Sequence, residues 1–196
     1  MKKINITTVL IMILIVATGI LVYLLAFPSG KTLQISKSTA PTQTPLKKTT
    51  TLAFNPQHMN ISSTSAVAST DLIVDTDSDE ISGVQAELTY DPKSITNVKI
   101  VPATGKDGFF GTQGNVLFQE VNPQTGKISY AIAISPNGKP VKGKGKIATI
   151  TFQKAFNSTA PVTDIAFDDS TVVTKQGLKG SVLKFSLPLN ITRIVN

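Results

Sequence analysis

The chain of 196 residues has no cysteine, no tryptophan and a single histidine. Without cysteine there is no disulfide framework, no thiolate zinc site, no thiol nucleophile and no lipoprotein-type lipid attachment. The lone His58 borders a low-complexity segment, which rules out a histidine metal cluster and a Ser-His-Asp triad held in a rigid site. Lack of tryptophan removes the usual flat aromatic strip of a sugar-binding surface. Acidic residues number only 12. Of these, Glu87, Asp91, Glu120, Asp168 and Asp169 are the candidates for a glycosidase pair, and no spacing among them singles out two carboxylates at the required separation. With no catalytic constellation left, the chain reads as a binding module and not an enzyme.

What is present begins with residues 4–27, a stretch of 24 residues without a charge. At about 1.5 Å per residue a helix of that length spans a bilayer core of about 30 Å. Lys2 and Lys3 precede it, which keeps residues 1–3 cytoplasmic and the remainder of the chain extracellular. The run exceeds a usual signal-peptide core, and Leu24-Leu25-Ala26 sets a bulky residue where a cleavage site needs a small one, so an uncleaved single-pass membrane anchor is expected. Residues 28–50 are rich in Thr, Ser, Pro and Lys and cannot bury enough apolar surface to fold; they read as a disordered linker, or stalk.

The formal net charge is +7, but six of the 19 basic residues (Lys2, Lys3, Lys31, Lys37, Lys47 and Lys48) precede Thr51. Residues 51–196 therefore carry 13 basic against 12 acidic side chains, close to neutral, and no nucleic-acid partner is expected.

Within 51–196 apolar alternation recurs in short runs broken by Gly, Pro, Asn and Asp, with no sustained helical period. Nine strands are expected, at 66–75, 84–90, 95–101, 115–121, 127–134, 146–154, 162–167, 171–174 and 181–192, giving an all-β sandwich. Ile128, Tyr130, Ile132 and Ile134 share one face, Ala148, Ile150 and Phe152 another, and Leu183, Phe185, Leu187, Leu189 and Ile191 a third; all are expected in the core.

The clearest strand lies within 81–92. Val84, Ala86, Leu88 and Tyr90 occupy one face and Gln85, Glu87 and Thr89 the other, with Gly83 opening the strand and Asp91-Pro92 closing it. This Gly-Val-Gln-Ala-Glu-Leu-Thr-Tyr-Asp-Pro sequence is followed by 95–102, by Gly126-Lys127-Ile128-Ser129-Tyr130-Ala131 and by the glycine-led 143–152 ending in Thr-Phe. In that order the four segments resemble a cohesin domain over most of 66–192. The resemblance implies a nine-stranded jelly roll related to carbohydrate-binding modules. It also implies a protein partner, a calcium-loaded dockerin, of the kind that tethers polysaccharide-degrading enzymes at bacterial surfaces. Carried over by position, the partner-binding face is Gln85, Glu87, Thr89, Ser129, Ala131 and Ala133. One departure stands out: cohesins of the first type resemble one another in an Asn-x-Asp pair where this chain has Gly83 and Gln85.

Other motifs are weaker. Asp75, Asp77 and Asp79 alternate like the start of a calcium loop, but the EF-hand pattern requires Gly where Glu80 stands and Glu where Ala86 stands. An acidic turn explains them, with a low-affinity calcium site as the alternative; otherwise no cofactor and no metal is expected. The segment 138–144 matches a phosphate loop until Gly145 replaces the required Ser or Thr. Phe109 and Phe110 are the available platform for the rival reading, direct polysaccharide binding, unless they cap the core. A structural or adhesive surface domain is the third reading.

Overall fold

The structure, a computed structural model, describes residues 47–61, 67–156 and 158–193. The expected membrane anchor and most of the linker lie outside these residues; within them no helix is long and apolar enough to cross a membrane.

The expected all-β sandwich is there. Its strands are β1 (Thr50–Asn55), β2 (His58–Ile61), β3 (Val67–Asp75), β4 (Gly83–Tyr90), β5 (Ile95–Pro102), β6 (Gly114–Asn122), β7 (Lys127–Ile134), β8 (Lys144–Lys154), β9 (Val162–Phe167), β10 (Val172–Thr174), β11 (Leu183–Leu187) and β12 (Leu189–Arg193). Sheet A has the order β11-β1-β3-β8-β5, and sheet B the order β2-β12-β9-β4-β7-β6, with β10 also paired to β4. The pairs β1–β11 and β2–β12 are parallel, and the other ladders are antiparallel.

Twelve strands among the described residues replace the nine expected, and proline accounts for much of the difference. β1 and β2 flank Pro56, whose peptide bond with Asn55 is cis, and β11 and β12 flank Pro188. Proline has no N–H to give a ladder, so a strand cannot run through it in mid-sheet. At both prolines the chain leaves sheet A for sheet B, and the two crossings run side by side, tied by the Asn190 amide donating to the Gln57 carbonyl at 2.9 Å.

This crossing corrects part of the expected core. Leu52 of β1 is fully buried and pairs with Ser186, whereas Thr51 and Ala53, which are half-buried, pair with Phe185 and Leu187. Phe185 and Leu187 therefore lie on the outer side of sheet A, 44% and 37% exposed. Beyond Pro188 the chain belongs to the other sheet, and there Leu189 and Ile191 are buried as expected. A single alternation over 181–192 does not survive the change of sheet.

Elsewhere alternation locates the core. Val84, Ala86, Leu88 and Tyr90 of β4, Ile128, Tyr130 and Ile132 of β7, and Ala148, Ile150 and Phe152 of β8 are all buried between the sheets. Tyr130 also joins the sheets, its phenol donating to the Ile147 carbonyl at 2.8 Å. Burial pushes the Tyr130 pKa up, which keeps the hydroxyl a donor throughout the physiological range. The turn at 122–126 has the chemistry its sequence implies. The Asn122 side chain accepts from the amides of Gln124 and Thr125, and Gly126 takes a φ of +68° where an added Cβ would meet the Tyr90 carbonyl.

Candidate functional site

The inner side of sheet B forms the core, so its outer side is fixed by register. β4 and β7 run antiparallel with Gly83 opposite Ala133, Gln85 opposite Ala131, Glu87 opposite Ser129 and Thr89 opposite Lys127. All six residues expected on the partner-binding face therefore come together on the outer side of one sheet: Gln85 is exposed, and Glu87, Thr89, Ser129, Ala131 and Ala133 are half-buried.

Three side chains organise the centre. Ser129 and Gln85 both donate to the Glu87 carboxylate, the Gln85 amide at 3.0 Å, which holds the acid flat against the sheet. Behind it the Thr171 hydroxyl stands at 3.1 Å from the Glu87 amide and 3.0 Å from its carbonyl. Thr171 sits where β9 has ended and β10 has yet to begin, so its side chain supplies hydrogen bonds that the neighbouring strand would otherwise give. Gly83, the first departure from the cohesin pattern, has a local cause: an added Cβ would lie 3.1 Å from both Ala133 Cβ and Thr174 Oγ1. The site is close-packed around glycine, which disfavours any larger residue there.

Residues the sequence reading missed lie on the neighbouring edge strand. The β6–β7 register shifts between Val116 and Phe118, so β6 is bulged at Leu117. Phe118 then faces outward opposite Ala131, and Glu120 outward opposite Ser129. Leu117 is 63% and Phe118 49% exposed, two consecutive large apolar side chains beside a row of alanines. The signal was in the chain: Val116-Leu117-Phe118 breaks strict alternation, as a bulge requires.

The remaining candidates do not assemble into sites. Phe110 is buried and Phe109 half-buried, stacked edge to face with ring centroids 5.0 Å apart, so this pair caps the core and offers no sugar platform. Asp75, Asp77 and Asp79 do not converge, and among the described residues no group of acidic or histidine side chains is placed to hold a metal. Asp75 pairs loosely with Lys144 at 3.9 Å and accepts from the Asp77 amide, while Asp79 turns inward to Lys175 at 2.9 Å and accepts a hydrogen bond from Thr49. The lysine-rich 138–144 leads into β8 and not into a helix, as its sequence context indicated.

No protein-family model matches the chain, and no curated protein is significantly similar. Solved structures are. CaCohA2 of Clostridium acetobutylicum aligns with a TM-score of 0.58 at 17% identity, over 75% of this chain and 92% of that one. The third cohesin of ScaC from Acetivibrio cellulolyticus, solved in complex with the ScaB dockerin, aligns with a TM-score of 0.57 at 16% identity, over 74% and 99% of the two chains. The fold is that of a cohesin domain. The OlpC cohesin of Clostridium thermocellum, solved in complex with Doc435, agrees with a TM-score of 0.57 at 13% identity, over 77% and 98%. This likeness to cohesins spans nearly the whole length of each solved chain.

Proposed function

We propose that this domain is a non-catalytic docking module that holds a protein partner of dockerin type on the outer side of sheet B, displayed at the cell surface by an N-terminal membrane anchor. The observation that carries this reading is the pairing of a cohesin fold with an open sheet face, mostly of small side chains around Glu87, flanked by exposed Leu117 and Phe118. Apolar anchors beside small side chains are what the core of a protein interface needs. Calcium, in this reading, belongs to the partner.

The test uses full-length chain and calcium-loaded dockerin modules from secreted enzymes encoded in the same genome. Ala131→Arg and Ala133→Arg each push a long cation into the centre of the face without entering the core. Each is expected to weaken capture of the dockerin at least a hundredfold by calorimetry, with the thermal transition unchanged, and chelation of calcium is expected to release the partner. Unaltered affinity in both variants sinks the face assignment.

A further inference from the structure

The outer side of sheet B is chemically polarised along its strands. One cross-strand row holds Phe118, Ala131 and Gln85, and the next holds Glu120, Ser129 and Glu87. Residues two apart on a strand lie about 7 Å from one another, and neighbouring strands about 4.8 Å. Along the backbone the apolar and acidic rows therefore stand about 7 Å apart, and the Glu87 and Glu120 positions about 10 Å apart across Ser129. Among the described residues neither Glu87 nor Glu120 forms an ion pair; the three ion pairs present are Lys144–Asp75, Lys146–Asp71 and Lys175–Asp79. Glu87 is nevertheless held in place by Ser129 and Gln85, so its conformation does not have to be ordered when a ligand arrives.

From this we infer that the face selects a partner whose contact surface carries a cationic side chain, arginine or lysine, about 7 Å from a large apolar one. The cation settles over Ser129 between Glu87 and Glu120, and the apolar group packs on Ala131 beside Phe118. Charge complementarity argues for this occupant over a neutral or acidic one: an approaching apolar surface would desolvate Glu87 without compensating it, which costs affinity. A spacing of about 7 Å is met by residues two apart on a strand and approached by residues four apart on a helix, which rise about 6 Å. The inference rests on the proposed docking face and adds the chemistry of what docks there.

The test does not require the natural partner. A displayed library of a three-helix scaffold, randomised at six surface positions, is selected on the full-length chain and counter-selected against its Ala131→Arg variant, which confines binders to this face. The expected winners are enriched at least threefold in Arg or Lys at one position adjacent to a large apolar one. Their affinity is expected to fall at least tenfold for Glu87→Gln combined with Glu120→Gln, and to fall steeply between about 50 and about 300 mM salt as screening grows. Binders that depend on Ala131 yet show no cationic enrichment and no loss with the double variant overturn the cation and leave the docking face standing. Recovery of no binder sensitive to Ala131→Arg overturns both.

Discussion

At Asp79 burial and charge pull in opposite directions. Desolvation alone would raise its pKa, but hydrogen bonds from Thr49 and Lys175, with the lysine charge, outweigh it and hold the carboxyl below its ordinary value of 3.8. A carboxylate depressed by folding adds stability that is fully present above its unfolded pKa and is lost as pH falls through the lower folded one. Asp79→Asn is therefore expected to cost about 1–2 kcal/mol at pH 7, in line with a charge-assisted hydrogen bond beside a partly exposed lysine. The cost should shrink as pH falls below the ordinary 3.8 and through the lower folded pKa, where the wild-type carboxyl also becomes neutral. Denaturant unfolding in a series of buffers descending from pH 7 checks it; a cost that stays the same down the whole series would assign the effect to packing. Sequence alone showed Asp79 as one of three alternating acids. Its separate fate was hidden because its partners lie far along the chain, at Thr49 and Lys175.

Strands were legible where one face is buried and the other wet. β4 and β7 alternate strictly, so their inner and outer residues follow from period 2, and the six-residue face is readable from the chain alone. What alternation cannot encode is a change of sheet. Leu187 and Leu189 have the same parity, yet one is 37% exposed in sheet A and the other fully buried in sheet B, on either side of Pro188. Truncating both separates the two descriptions. Leu189→Ala should cost about 2–5 kcal/mol, the range for an aliphatic side chain removed from a packed core. Leu187→Ala should cost below about 1 kcal/mol, as expected for a site open to solvent. Urea unfolding of the two variants measures the contrast, and similar losses would refute the crossing at Pro188. The β6 bulge was half legible for a related reason: its apolar triplet signalled irregularity but not which residues would be turned outward.

Across the whole chain, fold class followed from the recurrence of short alternating runs, while the candidate face needed β6 beside β4 and β7 to be complete. The anchor proposed for residues 4–27 makes a prediction at this scale, since a hydrophobic run of that length holds a protein in the bilayer against extraction that strips peripheral proteins. The chain is expected to stay in the membrane pellet after alkaline carbonate treatment, and protease added to intact cells is expected to remove the domain. Recovery in the soluble fraction, or protection from external protease, would overturn the anchored, outward-facing arrangement.

The parallel pairs at the two crossings also fix when this domain can come into being. Thr50 pairs with Leu183, and His58 with Asn190, so β2 finds its strand partner, and β1 its second partner beside β3, only in the last two strands. A nascent chain emerging from the ribosome, or threading through a translocation channel, cannot complete sheet A until Leu187, the end of β11, is free, nor sheet B until Arg193, the end of β12. Such distant pairing makes closure wait for the end of synthesis. In the proposed anchored arrangement the delay leaves the chain unfolded for its passage through the membrane, and the sandwich finishes on the side where its last strand arrives.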